Sequence, residues 1–208
     1  ECSEDPMRVL DDHLSTVGLA RSKIGIELDY LPAGDFARLQ KFLPEAVFEG
    51  AEHVLSRLRQ IKTKDEVALL RRLSRIADQA IGDALDAVRA GDSELDIAAH
   101  LTRNIYELGA EHFKLLIVAT GERSQLPNVG PTDRKLRRGD VCRVEIFSVI
   151  GGYQAGVCRT AYVQEPPPMA EDIWKLMVDC KYRILEQGKP GADCHAVYLG
   201  FVEQLKKH

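Results

Sequence analysis

The sequence is short of several things, and each shortage closes off a class of function. Aromatic residues make up 6% of the 208 residues, and there is one tryptophan. No apolar run approaches the roughly 20 residues that a membrane-spanning helix needs, and no signal peptide is visible. Charge of one sign is not in excess: 28 Lys and Arg stand against 32 Asp and Glu, for a net charge of −4. The basic stretches Arg57 to Lys64 and Arg134 to Arg138 do not dominate that balance, so neither nucleic acid nor an anionic membrane is the expected partner. Cysteines are few and scattered. Cys2, Cys142, Cys158, Cys180 and Cys194 have no metal-ligand spacing, and an odd, dispersed set fits reduced thiols in the cytosol. The six histidines form no zinc-type cluster. Ala119-Thr-Gly-Glu lacks the lysine of a phosphate-binding loop.

What remains is an ordinary globular composition, 45% hydrophobic and 29% charged, with clear punctuation. Residues 1 to 55 read as a βα unit and the start of another. The strands lie at Lys23 to Leu28 and Ala46 to Glu49, and a helix runs from Pro32 to Leu43. Thr63-Lys-Asp-Glu66 is a capping box, in which hydroxyl and carboxylate serve each other's backbone donors. The helix it opens carries Val67, Leu70, Leu73, Ala77, Ala80, Ile81 and Leu85 on its apolar side and stops by Gly91. Ser93-Glu-Leu-Asp96 opens a second helix with Ile97, Leu101, Ile105 and Leu108 inward, closed by Gly109. Lys114 to Ala119 is an apolar strand, and a polar loop fills Gly121 to Gly139. A hairpin over Val141 to Val163 turns at Gly151-Gly152. The linker Glu165-Pro-Pro-Pro168 follows, because prolines cannot continue a ladder. A helix from about Ala170 carries Ile173, Trp174, Met177, Ile184 and Leu185, and a last helix runs from Cys194 to Lys207. The stretches Ala90 to Leu108 and Pro190 to Lys207 form a weak internal repeat about 100 residues apart.

The loop and hairpin carry a resemblance. Leu126-Pro127-Asn128, Pro131-Thr132-Asp133-Arg134, Gly139-Asp140, Gly152-Tyr153 and Arg159-Thr160, in that order, resemble the pita-bread superfamily of creatinase, ectoine hydrolase, Xaa-Pro aminopeptidases and prolidases. The resemblance implies an α+β fold of helices packed on antiparallel strands with a pseudo-twofold duplication. Residues 1–55 would be the tail of a creatinase-type α/β amino-terminal domain. Residues 56–208 would be the first half and following helices of the catalytic domain, with the second half absent. The first residue is Glu1, so a fragment is expected, inactive by itself.

In the metal-dependent members, two aspartates on the hairpin bind a pair of divalent metals. Counting back from Arg159-Thr160, Glu145 and Gly156 hold those positions here. Glycine offers no donor, and glutamate's extra methylene shifts its carboxylate by more than about one ångström. The nearest branch by resemblance is therefore the metal-free one of creatinase and ectoine hydrolase, which needs no cofactor. Asn128 stands where members carry a proton-transferring histidine; an amide holds a carboxylate or an oxyanion but exchanges no proton near pH 7. The resemblance makes Asn128 and Glu145 the catalytic candidates and Tyr153, Cys158 and Arg159 the substrate-binding ones, with no metal ligand among them. Each has a structural alternative: a loop amide bonded to its own backbone for Asn128, an Arg159–Glu145 ion pair, a packing thiol for Cys158 and a hairpin side chain for Tyr153. The implied activity is hydrolysis of a C–N bond in a small amidino or amide substrate, by a cytoplasmic homodimer. The alternatives are a metal-dependent Xaa-Pro aminopeptidase or dipeptidase acting on short peptides with a divalent metal pair, and an inactive binding module.

Overall fold

The computed structural model describes residues 5–206, and Cys2, Lys207 and His208 lie outside that range. The chain divides into two compact units between Glu66 and Val67. The expected boundary at 55/56 falls instead inside a helix.

The first unit holds three helices and a two-stranded parallel sheet. Helix α1 (Pro6–Thr16) starts at Asp5, whose carboxylate accepts the Met7 N–H at 3.0 Å, with proline at the first helical position. Strands β1 (Lys23–Ile26) and β2 (Val47–Gly50) flank α2 (Ala33–Phe42) and pair in parallel, as a βα unit requires. Helix α3 (Glu52–Gln60) completes the unit. Both α1 and α3 escaped the sequence reading; neither buries a residue, so neither has a fully apolar stripe to betray it.

The second unit carries the site. Helix α4 (Lys64–Ala87) opens on the expected capping box: Thr63 N–H donates to Glu66 Oε2 at 2.5 Å, and Glu66 N–H donates to Thr63 Oγ1 at 3.2 Å. It buries Leu73, Ile76, Ala77, Ala80, Ile81 and Ala84, whereas Val67 is exposed, contrary to expectation. Helix α5 (Glu94–Glu107) opens on the Ser93–Asp96 box and buries Ile97, Leu101 and Ile105 completely. Leu108 is left exposed at its end.

Strands β3 (His112–Thr120), β4 (Val141–Ile150) and β5 (Tyr153–Tyr162) form an antiparallel sheet in that order. The Gly151-Gly152 turn, both residues at positive φ, sets the hairpin register. Val118, Cys142, Val144 and Ile146 pack with the apolar sides of α4 and α5 as one core, built from one face of the sheet. Burying this face is the dominant stabilising term, about 25 cal/mol per Å² of apolar surface. Helices α6 (Ala170–Gln187) and α7 (Cys194–Leu205) follow. On α6, Ile173, Trp174, Met177, Ile184 and Leu185 are all exposed and only Cys180 is buried. Among the described residues no helix is long and apolar enough to cross a membrane.

Candidate functional site

Residues opposite each other in an antiparallel pair share a face, and the face alternates along each strand. The register pairs Arg143 with Thr160, Glu145 with Cys158 and Phe147 with Gly156. These six therefore share the face turned away from the α4–α5 core. The alternate pairs, Val144 with Arg159, Ile146 with Val157 and Ile150 with Tyr153, point towards the helices.

This parity sorts the candidates. Glu145 and Cys158 come together on the open face. Arg159 and Tyr153 do not. Arg159 forms its ion pair with Asp78 on α4, Nη2 to Oδ1 at 2.7 Å with both side chains about half exposed, so the expected Arg159–Glu145 pair is replaced. Tyr153 sits half-buried at the turn end of β5, on the helix side. Glu145 is half-buried and pairs with no cation among the described residues.

The loop that carries Asn128 is tied to β4 through a residue that sequence reasoning passed over. Arg143 Nη2 donates to the carbonyl of Leu126 and, at 2.8 Å, to that of Pro127. The exposed Asn128 is the next residue along. A strand guanidinium two residues before Glu145 thus fastens the loop that presents the amide. The signal was present: a charge inside Val-Cys-Arg-Val-Glu-Ile, in phase with Glu145. Arg143 Nε is buried and meets no hydrogen-bond partner among the described residues.

The root of the same loop is anchored by Glu94, the first residue of α5 and fully buried. Its Oε1 accepts the Thr120 N–H at 2.8 Å and the Thr120 hydroxyl at 2.9 Å. Its Oε2 accepts the Thr132 N–H at 2.9 Å, the Thr132 hydroxyl at 2.7 Å and the Arg123 guanidinium. Arg123 also donates to the Gly130 carbonyl at 3.1 Å. Arg134 bridges Glu122 and Asp140, at 2.7 and 2.6 Å. The hydrogen bond from Arg134 holds the Glu122 carboxyl down at about 2. At Asp140 burial pushes the carboxyl up, but hydrogen bonds from Arg134 and the Arg137 amide outweigh it, and the net shift is downward.

On the open face, burial pushes the Cys158 thiol up and the Glu145 charge adds to this, against Arg143 and Arg159. A thiol kept protonated is a poor nucleophile, and the exposed Cys158 is not a packing residue of the core either. Chemically, the face offers a carboxylate at Glu145 and an apolar ring at Phe147, with the Asn128 amide one residue beyond the carbonyls that Arg143 holds.

The fold family implies a metal pair, and the residues at this face do not fit one. Position 156 offers no donor. A Cβ built on Gly156 would stand 2.5 and 2.7 Å from Phe147 Cε1 and Cε2, and closer still to Cζ. The ring occupies the space a ligating side chain would need.

The helices on one face of an antiparallel sheet, with the loop and hairpin beside them, match the first part of the pita-bread fold. Solved structures agree: an X-Pro aminopeptidase from Thermotoga maritima superposes with a TM-score of 0.77 at 24% identity, over 90% of this chain and 53% of that one. Residues 68–208 match metallopeptidase family M24, and the chain belongs to that family. An Xaa-Pro dipeptidase from Pyrococcus furiosus is 30% identical over 145 residues, 69% of this chain and 42% of that protein. A creatinase from a Bacillus species is 26% identical over 202 residues, 94% of this chain and 49% of that protein. The chain spans about half the length of the relatives it matches.

Proposed function

We propose that the protein to which this chain belongs hydrolyses a C–N bond in a short peptide or small amide, with Glu145 and Asn128 acting together. The observation that carries this is the Arg143 clamp, which ties the Leu126-Pro127 carbonyls to the strand that bears Glu145. Glu145 takes the proton of the attacking water, and the Asn128 amide donates to the oxyanion that forms on the substrate carbon. We place the protein in the cytosol as a homodimer.

Two finer readings differ on metal. The relatives speak more strongly for the peptidase alternative, because several bear the names Xaa-Pro dipeptidase or peptidase, against one named creatinase. On that reading the substrate is a short proline-containing peptide. The donor set speaks for chemistry without a metal pair, because Phe147 fills the space beside Gly156. One experiment separates them. The full-length protein, purified without chelator, is assayed for metal by elemental mass spectrometry and for hydrolysis of Ala-Pro and of creatine, with and without EDTA. Turnover without metal is the expected result. Two metals per chain, with EDTA-sensitive hydrolysis of Ala-Pro, overturn the metal-free reading and leave the peptidase. No metal and no turnover of either substrate leave a binding module.

A further inference from the structure

We propose that Phe147 and Gly156 are an interlocked pair, and that Phe147 is the residue that decides what this face can hold. The inference rests on the reading of the Glu145 face as the working site. Gly156 does not adopt positive φ, so the backbone does not demand glycine there. The space does: Cε1 and Cε2 of the half-buried Phe147 ring lie 2.5 and 2.7 Å from where a Cβ would sit. Real Cβ atoms do not come so near another carbon, and the nearest atoms are the tip of the ring, so a side chain at 156 requires the Phe147 ring to swing out of its place over Gly156. Phe147 and Gly156 are directly opposed across β4 and β5. Glu145, two residues along β4, is a diagonal neighbour of Gly156, a separation of roughly 7–8 Å that long side chains span.

A carboxylate at 156 would therefore converge with Glu145, as a site for two dications requires. In its present rotamer the ring occupies that space. Supplying the missing carboxylate is then not enough to create a cation site; the ring must also give up its place over Gly156. With the ring in place, the surface beside Glu145 is apolar and suits an uncharged part of a ligand rather than a cation.

The test uses the full-length protein and its variants Gly156→Asp, Phe147→Gly and the double Phe147→Gly/Gly156→Asp. Mn²⁺ alone is the probe, titrated by calorimetry, and thermal unfolding is read in parallel. Gly156→Asp is expected to lower Tm by about 5 °C through overpacking and to gain no Mn²⁺ affinity. The double variant is expected to bind Mn²⁺ at least about tenfold more tightly than either single variant. Its loss of Tm is expected to be smaller than the sum of the two single losses, as for residues in contact. Gly156→Ala adds only the Cβ and isolates the steric part: it should destabilise the protein beside Phe147 and be tolerated beside Phe147→Gly. Additive Tm losses, or equal Mn²⁺ affinity in Gly156→Asp and the double variant, overturn the proposal. Wild-type protein that binds two metals per chain would sink the metal-free reading instead, while the Tm coupling would still report on the interlock.

Discussion

Replacing Glu94 by alanine is the sharpest probe of how the loop is held. The carboxylate is fully buried and serves Thr120, Thr132 and Arg123. Its removal does not leave every donor stranded. The Thr132 hydroxyl lies 3.2 Å from Arg123 Nη1, and the Thr120 hydroxyl accepts from Arg134 at 2.9 Å, so both can reorganise. The Thr120 and Thr132 backbone N–H groups cannot turn; the buried Thr120 N–H costs about 1–3 kcal/mol when left unpaired, and the partly buried Thr132 N–H costs towards the lower end of that range. Arg123 keeps 21% of its side chain exposed, so water softens the loss of its partner. The sum is about 3–5 kcal/mol, the range for breaking a buried ion pair, and a large share of the roughly 5–15 kcal/mol that stabilises a domain. Glu94→Gln keeps a carbonyl for one threonine but turns an NH₂ towards donors at the other, and should cost about 2–3 kcal/mol. Urea denaturation of the full-length protein gives both values. Hydrogen exchange at the Thr120 and Thr132 amides gives the local effect. A cost below about 1 kcal/mol for the alanine variant, or unchanged protection of those amides, would refute the reasoning.

Two further outcomes follow. Glu122, with its carboxyl lowered from 4.5 to about 2, and Asp140, also lowered, are both depressed in the folded state, so their contribution is present above the unfolded value and lost as pH falls through the folded one. Stability should drop between about pH 4.5 and 2, and Arg134→Gln should flatten that drop; identical urea midpoints against pH in both proteins would contradict the assignment. Asn128→Ala and Arg143→Ala in the full-length protein should each lower kcat by about 10²-fold on whichever of Ala-Pro or creatine is turned over, the first by removing the donor and the second by loosening it; unchanged kcat in Asn128→Ala removes that residue from the mechanism.

The capped helices α4 and α5, the loop and the hairpin were legible because their signals are local. Capping boxes span three residues, and a Gly-Gly turn fixes a register by itself. The same turn also fixes which side chains share a face. Counting from Ile150 opposite Tyr153 puts Glu145 across from Cys158, and Arg159 on the other side. Motif order groups all three and is silent about parity, which is how Arg159 came to be paired with Glu145. Glu94 was hidden for a different reason. A carboxylate at a helix start reads as a capping device, and its partners Thr120 and Thr132 lie too far along the chain for any local pattern to reveal. Phe147 gave no warning, because an aromatic residue on a strand is ordinary until its opposite number is known.

The fit of Phe147 against Gly156 also couples two positions that lie nine residues apart in the chain. The hairpin sets them opposite each other, so the space at 156 is whatever the ring at 147 leaves free. A substitution at either position is therefore read against the residue across the strand, and the two are varied as one unit.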